Sequence, residues 1–313
     1  MHRREFGRSN LQISTIGLGC VPLGTIAKVP RVEEAVDIMR TTLEAGINFF
    51  DTAALYGEGE SERRVGIALR ELKDLLPDDF ILNTKVGYRP NPFDYSEEQT
   101  LACVEESLRI LGVERLPMIH IHDVQHSDLS TVMNGSRKAL HRLQEEGVVG
   151  LVGLAAGPIP MMLDYVNTGE FDCVLTHNRY TLLDQPAEQL IARANERGMG
   201  IINGAPFSSG LLARPLDKSA TYIYREADPE TLARTAMLNE ICDRHGVSVK
   251  AAAIQFSTRD PRVHTTIMGA SSAEQIRQSA EALGEVIPGE IWDEFRREVP
   301  PRLIDDIKGI HDK

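Results

Sequence analysis

Aromatic side chains are scarce in this chain: Phe, Tyr and Trp together make up 5% of 313 residues, with a single Trp. Cysteine is scarcer still. Cys20, Cys103, Cys173 and Cys242 lie far apart with no CxxC spacing, which argues against a disulfide framework and against a zinc ribbon. Positive charge is in deficit, with 34 Lys and Arg against 46 Asp and Glu and a formal net charge of −12. A polyanion must be met by clustered cations, so a nucleic-acid partner is not expected. No basic amphipathic stretch suits an anionic membrane surface, and no apolar run approaches the roughly 18 residues of a membrane span. The opening MHRREFGRSN lacks the apolar core of a secretory signal. A reducing, cytoplasmic setting is the expectation, and oligomeric state is left open.

What is present is enough apolar material for a large core, 42% of residues, organised by alternation. Short runs rich in β-branched residues are expected to be strands at 16–19, 49–51, 80–85, 118–122, 150–155, 173–177, 200–203 and 264–268. Helical periodicity fills the gaps, near 32–46, 59–73, 96–112, 128–147, 158–168, 186–198, 229–245 and 272–284. Ser96 and Asp128 suit helix N-caps, and Gly147 and Gly198 suit C-terminal stops. Eight strand–helix units in strict order predict parallel strands joined by right-handed crossovers, closed as a (β/α)8 barrel in one domain over 1–313. The competitor, an open doubly wound sheet, usually carries G-x-G-x-x-G after its first strand. Here GLGCVPLG has Gly17 and Gly19 but Pro22 in the third place. Two features lie outside the alternation. Residues 3–6 and 11–14 flank the turn GRSN and predict a β-hairpin that could plug the barrel's amino end. The connection 204–229 is too long for a barrel turn, and it holds Phe207, Tyr222 and Tyr224.

On a barrel, chemistry gathers where strands end. Asp51, Lys85, His122 and His177 fall at the ends of the second, third, fourth and sixth strands, and Tyr56 follows Asp51 by five residues. A free phenol is a poor acid or base near neutrality, but a neighbouring ammonium favours its phenolate. That ammonium needs a carboxylate to stay charged in a desolvated cleft. An imidazole alongside can orient a substrate oxygen. Such a set moves a proton at an alcohol oxygen while a nicotinamide, not a side chain, carries hydride. The bland alternative is a structural Asp51–Lys85 ion pair. A rival reading takes His120 and His122, which share a strand face, as metal ligands, with Asp123, His126 or His177 as companions. No metal is the expectation, with His120 an inner barrel residue whose ring nitrogen is satisfied.

The segments INFFDTAALYGEGESE (47–62), ILNTKV (81–86) and SLRILGVERLPMIHIHD (107–123) resemble the aldo-keto reductases over essentially the whole chain. By that resemblance Tyr56 is the general acid/base, Lys85 lowers its pKa, Asp51 pairs with Lys85, and His122 positions the substrate oxygen. HNRYTLLDQ (177–185), APFSSGLLA (205–213) and MGASS (268–272) are similar to the aldose and L-fucose or L-galactose dehydrogenase group, and pyridoxal 4-dehydrogenases look much the same. The resemblance implies oxidation of a sugar at C1 to the lactone. The alternatives are an NADPH-dependent aldehyde reductase and a cofactor-binding sensor subunit with vestigial activity. It puts the dinucleotide, NAD or NADP, against Asp51, His177, Asn178, Phe207, Ser208, Gly210, Leu211, Gly269, Ser271, Gln275 and Ser279. Substrate, a small sugar or aldehyde, would meet Tyr56, His122, Tyr88 and Arg179, although Arg179 reads equally well as structural. Several positions depart from the family pattern. Ala155 and Ala156 stand where Ser-Asn often grips the carboxamide, and His177 replaces the usual Gln. Gly204 replaces the aromatic that stacks on nicotinamide. Gly269 and Gln275 stand where Lys and Arg meet a 2′-phosphate, which favours NAD.

Overall fold

Eight parallel strands pair in ring order and close on themselves: β1 (Ile16–Gly19), β2 (Phe49–Asp51), β3 (Ile81–Val86), β4 (Leu116–His122), β5 (Val149–Ala155), β6 (Cys173–His177), β7 (Gly200–Gly204) and β8 (Thr265–Gly269). Closure comes from β8 pairing with β1, Ile267 opposite Gly17 and Gly269 opposite Gly19. The computed structural model describes residues 1–24, 29–87, 93–214, 220–223, 225–303 and 305. The expected (β/α)8 barrel is therefore the fold. All eight expected strands are present, with bounds that move by at most two residues. Parallel neighbours cannot be joined by tight turns, so each strand hands over to a helix that returns along the outside. The caps act as the sequence suggests. Ser96 and Asp128 accept from the backbone N–H groups of Gln99 and Thr131, and Gly147 and Gly198 take positive φ where their helices stop.

The expected hairpin forms from Arg3–Glu5 and Gln12–Ser14. It does cover the amino end of the barrel. Phe6 and Ile13 are buried in one cluster with Phe49, Ile81, Met118 and Ile202 of the strands. Burying a phenyl ring there stabilises by about 1.5–3 kcal/mol. Gly200 makes room for it, since a Cβ at that position would lie 2.2 Å from the Phe6 ring.

Two expectations need correction. Between β7 and β8 there are two helices, Pro229–Arg244 and Val249–Thr258, where the periodicity predicts one. The second buries Ala251, Ala252, Ala253, Ile254, Ser257 and Thr258 on several sides at once, so it carries little of the one-sided pattern that marks a surface helix. Its start is nonetheless capped by Ser248, which accepts from Ala251 N–H. A further helix with no counterpart among the expected ones, Gly289–Glu298, carries Trp292, with its indole under the Arg259 guanidinium. The long connection after β7 is folded back. It makes a short turn at Ser208–Gly210 and a two-residue hairpin of Thr221–Tyr222 with Arg225–Glu226, tied together by Ile223 N–H donating to Ser209 Oγ at 2.9 Å. Tyr224 lies outside the described residues.

Candidate active site

Side chains alternate along a strand, so Asp51 on β2, Asn83 and Lys85 on β3, and His120 and His122 on β4 all point into the barrel. The upper members form one hydrogen-bonded group. Lys85 Nζ lies 2.8 Å from both carboxylate oxygens of Asp51, 2.8 Å from the Thr52 carbonyl oxygen and 3.0 Å from the Tyr56 hydroxyl. The ion pair is almost wholly removed from water, each side chain being 1% exposed. Tyr56 comes from the turn after β2, held where Tyr56 N–H donates to the Ala53 carbonyl and Ser61 N–H donates to the Tyr56 carbonyl. That turn needs glycine. A Cβ on Gly57, at φ +64°, would lie 2.4 Å from the Gly24 carbonyl oxygen. The His122 ring meets the Tyr56 ring edge-on at 5.8 Å between centroids. The four groups read from the sequence thus converge on one rim, at the carboxyl ends of the strands.

Two contributors, Tyr95 and Asn83, were not singled out from the sequence. Tyr95, buried, places its hydroxyl 2.9 Å from the His122 carbonyl oxygen and 2.6 Å from that of Asp123, which pins a turn where Asp123 has φ +48°. Asp123 faces His122, with Nε2 to Oδ2 at 3.9 Å. Burial acts to raise its pKa, but the charges of His122 and His177 and a hydrogen bond from Gln125 outweigh it and hold the carboxyl below its usual range. Burial first, then Arg179, pushes His177 down to about 4, so that ring is neutral at physiological pH. Asn83 donates from Nδ2 to Asp51 Oδ1 at 2.6 Å. A polar residue two positions before Lys85 on a barrel strand was the available signal for it.

The cofactor and substrate candidates fall into different settings. Asn178 Oδ1 and Ser208 Oγ are buried polar atoms without a hydrogen-bond partner among the described residues, and they follow the ends of β6 and β7. Such atoms are costly unless a ligand or water completes them, and a carboxamide offers both a donor and an acceptor. Gly204 leaves the rim bare beside His177, where a Cβ would come within 3.1 Å of His177 Cβ. These residues fit a nicotinamide dinucleotide. Phe207 and Leu211 are apolar packing residues of the same turn, with the Lys250 ammonium 5.8 Å from the Phe207 ring, and Gly210 has φ +94°. Across the rim, Ser272 caps the helix Ala273–Gly284, Gln275 Oε1 accepts from Ser271 N–H at 2.8 Å, and Ser279 donates to the Gln275 carbonyl. Gly269, at the end of β8, faces Pro22, whose Cγ would lie 3.0 Å from an added Cβ. Arg179 has a structural partner: its buried Nε donates to Asp305 Oδ1 at 2.8 Å, and Asp305 also accepts from Ile159 N–H. Tyr88 lies outside the described residues. His120 cannot serve a metal as it stands, since both ring nitrogens face protein atoms, Asn83 Oδ1 at 2.8 Å and Cys173 Sγ at 3.5 Å.

Comparison with known proteins agrees with this geometry. A sequence model described as the Aldo/keto reductase family matches residues 15–297. Pyridoxal 4-dehydrogenase of Microbacterium luteolum is 30% identical, the match covering 95% of this chain and 97% of that protein. D-threo-aldose 1-dehydrogenase of a Pseudomonas species is also 30% identical, over 92% of this chain and 94% of that one. The holo structure of the aldo-keto reductase AKR11C1 from Bacillus halodurans superposes with a TM-score of 0.82 at 26% identity, covering all of both chains. A barrel with a buried lysine–tyrosine pair at its rim, matched along nearly its whole length, places this chain in the aldo/keto reductase family as an NAD(P)-dependent oxidoreductase.

Proposed function

We propose that the rim oxidises a small polyol-like substrate, an aldose at C1 to its lactone, with NAD as the favoured dinucleotide. The observation that carries this reading is the unbroken chain from Asp51 through Lys85 to the Tyr56 hydroxyl. A bound nicotinamide would accept the hydride that no side chain can carry, with Asn178, Ser208 and His177 as the residues to hold it. In oxidation Tyr56, as phenolate, takes the proton of the substrate hydroxyl, and the ammonium 3.0 Å away stabilises the negative charge on its oxygen. Asp51 keeps that ammonium charged in a water-poor site. His122, packed edge-on against Tyr56, orients the same substrate oxygen by a hydrogen bond. In the reverse direction Tyr56 donates.

The preference for a sugar over a plain aldehyde rests on the polar groups His122, Asp123 and His177, and on the activity named for the D-threo-aldose 1-dehydrogenase relative. A polyol gains specificity from hydrogen bonds that an unsubstituted aldehyde cannot make. The preference for NAD rests on the first turn of Ala273–Gly284, which carries Glu274 and no Lys or Arg, and on the missing side chain at Gly269. A 2′-phosphate would meet a carboxylate there instead of a guanidinium.

Initial rates on aldoses, pyridoxal and simple aldehydes, followed by nicotinamide absorbance with NAD and NADP in parallel, test the reading. The expected outcome is aldose oxidation with kcat/KM for NAD about tenfold or more above NADP, the discrimination of one lost charged contact. Turnover confined to aldehyde reduction with NADPH would replace it with a carbonyl reductase. Dinucleotide binding without turnover on any substrate would leave a sensor.

A further inference from the structure

The layer of the barrel directly beneath the Asp51–Lys85 pair is polar, where barrels of this kind are usually filled by branched apolar side chains. Asn83, His120 and Cys173 are each fully buried in it. They form a line with the carboxylate: Cys173 Sγ to His120 Nε2 at 3.5 Å, His120 Nδ1 to Asn83 Oδ1 at 2.8 Å, and Asn83 Nδ2 to Asp51 Oδ1 at 2.6 Å. Gly153 on β5 leaves the space in which the ring and the thiol meet. A Cβ there would lie 2.5 Å from Cys173 Sγ and 2.6 Å from His120 Nε2.

The direction of every bond in this line follows from its upper end. A carboxylate paired with an ammonium only accepts, so Asn83 must present its amide N–H to Asp51. Its carbonyl oxygen then faces the imidazole, and the proton of His120 must sit on Nδ1. Burial above all, with Lys85 and His122 adding to it, pushes the His120 pKa well below the usual histidine value, so the ring carries one proton only. Nε2 is therefore an acceptor, and the group opposite it must donate. Burial raises the Cys173 thiol well above its usual value and keeps that donor protonated. All the bonds run the same way, toward the negative charge.

We propose that Asn83 and His120 are positioning residues of the proton-transfer site: the Nδ1–H form of His120 fixes the Asn83 amide, which fixes Asp51 and through it the Lys85 ammonium against the Tyr56 oxygen. The inference rests on Tyr56 as the proton-transfer group. Asp51 Oδ1 receives both the Asn83 N–H and one Lys85 N–H, whereas among the described residues Oδ2 receives Lys85 alone. Loss of the amide would free the carboxylate to turn about its last bond and carry the ammonium with it. Displacement of a catalytic group by a fraction of an ångström lowers turnover without touching substrate affinity.

Three variants and one spectrum decide the matter. In Asn83→Leu and His120→Leu, kcat should fall about tenfold to a hundredfold with KM within about twofold. The half-rise of the pH–rate profile for alcohol oxidation should move up by roughly one unit, because a less well placed ammonium stabilises the phenolate less. His120→Asn, whose amide nitrogen can occupy the Nδ1 position, should restore both. Wild-type kcat and profile in the folded Leu variants would overturn the proposal. So would equal losses in His120→Leu and His120→Asn with an unmoved profile, the mark of packing alone. On wild-type protein, long-range 1H–15N spectra should show His120 as a neutral Nδ1–H ring throughout pH 5–9. An Nε2–H ring, or one that titrates in that range, would overturn it even if no variant folds. Failure of the Tyr56 reading is seen separately, as activity retained in Tyr56→Phe.

Discussion

Removing the phenol should hardly change stability, whereas removing the ammonium should lower it substantially. In Tyr56→Phe the half-buried hydroxyl is lost, yet Lys85 keeps both oxygens of Asp51 and the Thr52 carbonyl. The folded state should change by less than about 1 kcal/mol, while loss of the proposed general acid/base should lower turnover by about 10²–10⁴-fold, or roughly 3–5.5 kcal/mol of barrier. In Lys85→Met the Asp51 carboxylate stays 1% exposed with Asn83 as its one remaining side-chain donor among those described. Breaking a buried pair from one side costs about 3–5 kcal/mol. At about 2 °C per kcal/mol for a chain of this size, Tm should fall by roughly 6–10 °C. Thermal melts, kcat and KM on a substrate found by the screen, and dinucleotide Kd from nicotinamide fluorescence measure the contrast. Turnover of Tyr56→Phe within tenfold of wild type, or equal Tm for the two variants, would refute the reasoning.

Ser208→Ala should leave the Tm of the free protein unchanged or slightly higher, because it removes a buried hydroxyl that has no partner, yet weaken dinucleotide binding about tenfold as one hydrogen bond is lost; titration of NAD with and without the substitution checks this. Asp305→Asn strips the charge partner from a guanidinium that is 3% exposed, and urea unfolding should register a loss of about 3 kcal/mol. His264 accepts from Ile201 N–H through Nδ1 at 3.0 Å, and burial, with Arg4 adding to it, pushes its pKa down to about 4. The unfolded chain therefore takes up the proton first on acidification. The stability tied to this residue is complete above about pH 6.5 and is lost as pH falls toward 4. Urea midpoints measured across that window should fall, and should fall less in His264→Gln.

The motif 47–62 placed Asp51 and Tyr56 correctly because both belong to one strand and the turn that follows, where local spacing is geometry. The strands were legible for a similar reason: a run of β-branched residues between turn signals is a local property, and eight of them in order leave few closures. The helix Val249–Thr258 was not legible. It is buried on several sides, and the periodic contrast that marks a helix in sequence fades when apolar residues occupy more than one face. The ion-pair partner of Arg179 was not legible either, since Asp305 stands 126 residues away.

The sequence by itself determined the alternation, the barrel's end-plug, and the identity of the four groups at the rim. It could not determine that Lys85 Nζ would sit 2.8 Å from Asp51 and 3.0 Å from Tyr56, nor that His120 and Asn83 would stand in line beneath them. Those distances depend on how eight strands tilt and stagger when the sheet closes, and that is a property of the whole ring. The chemistry of each residue is written locally, whereas its charge state and its partners come from burial and proximity, which only the closed barrel creates.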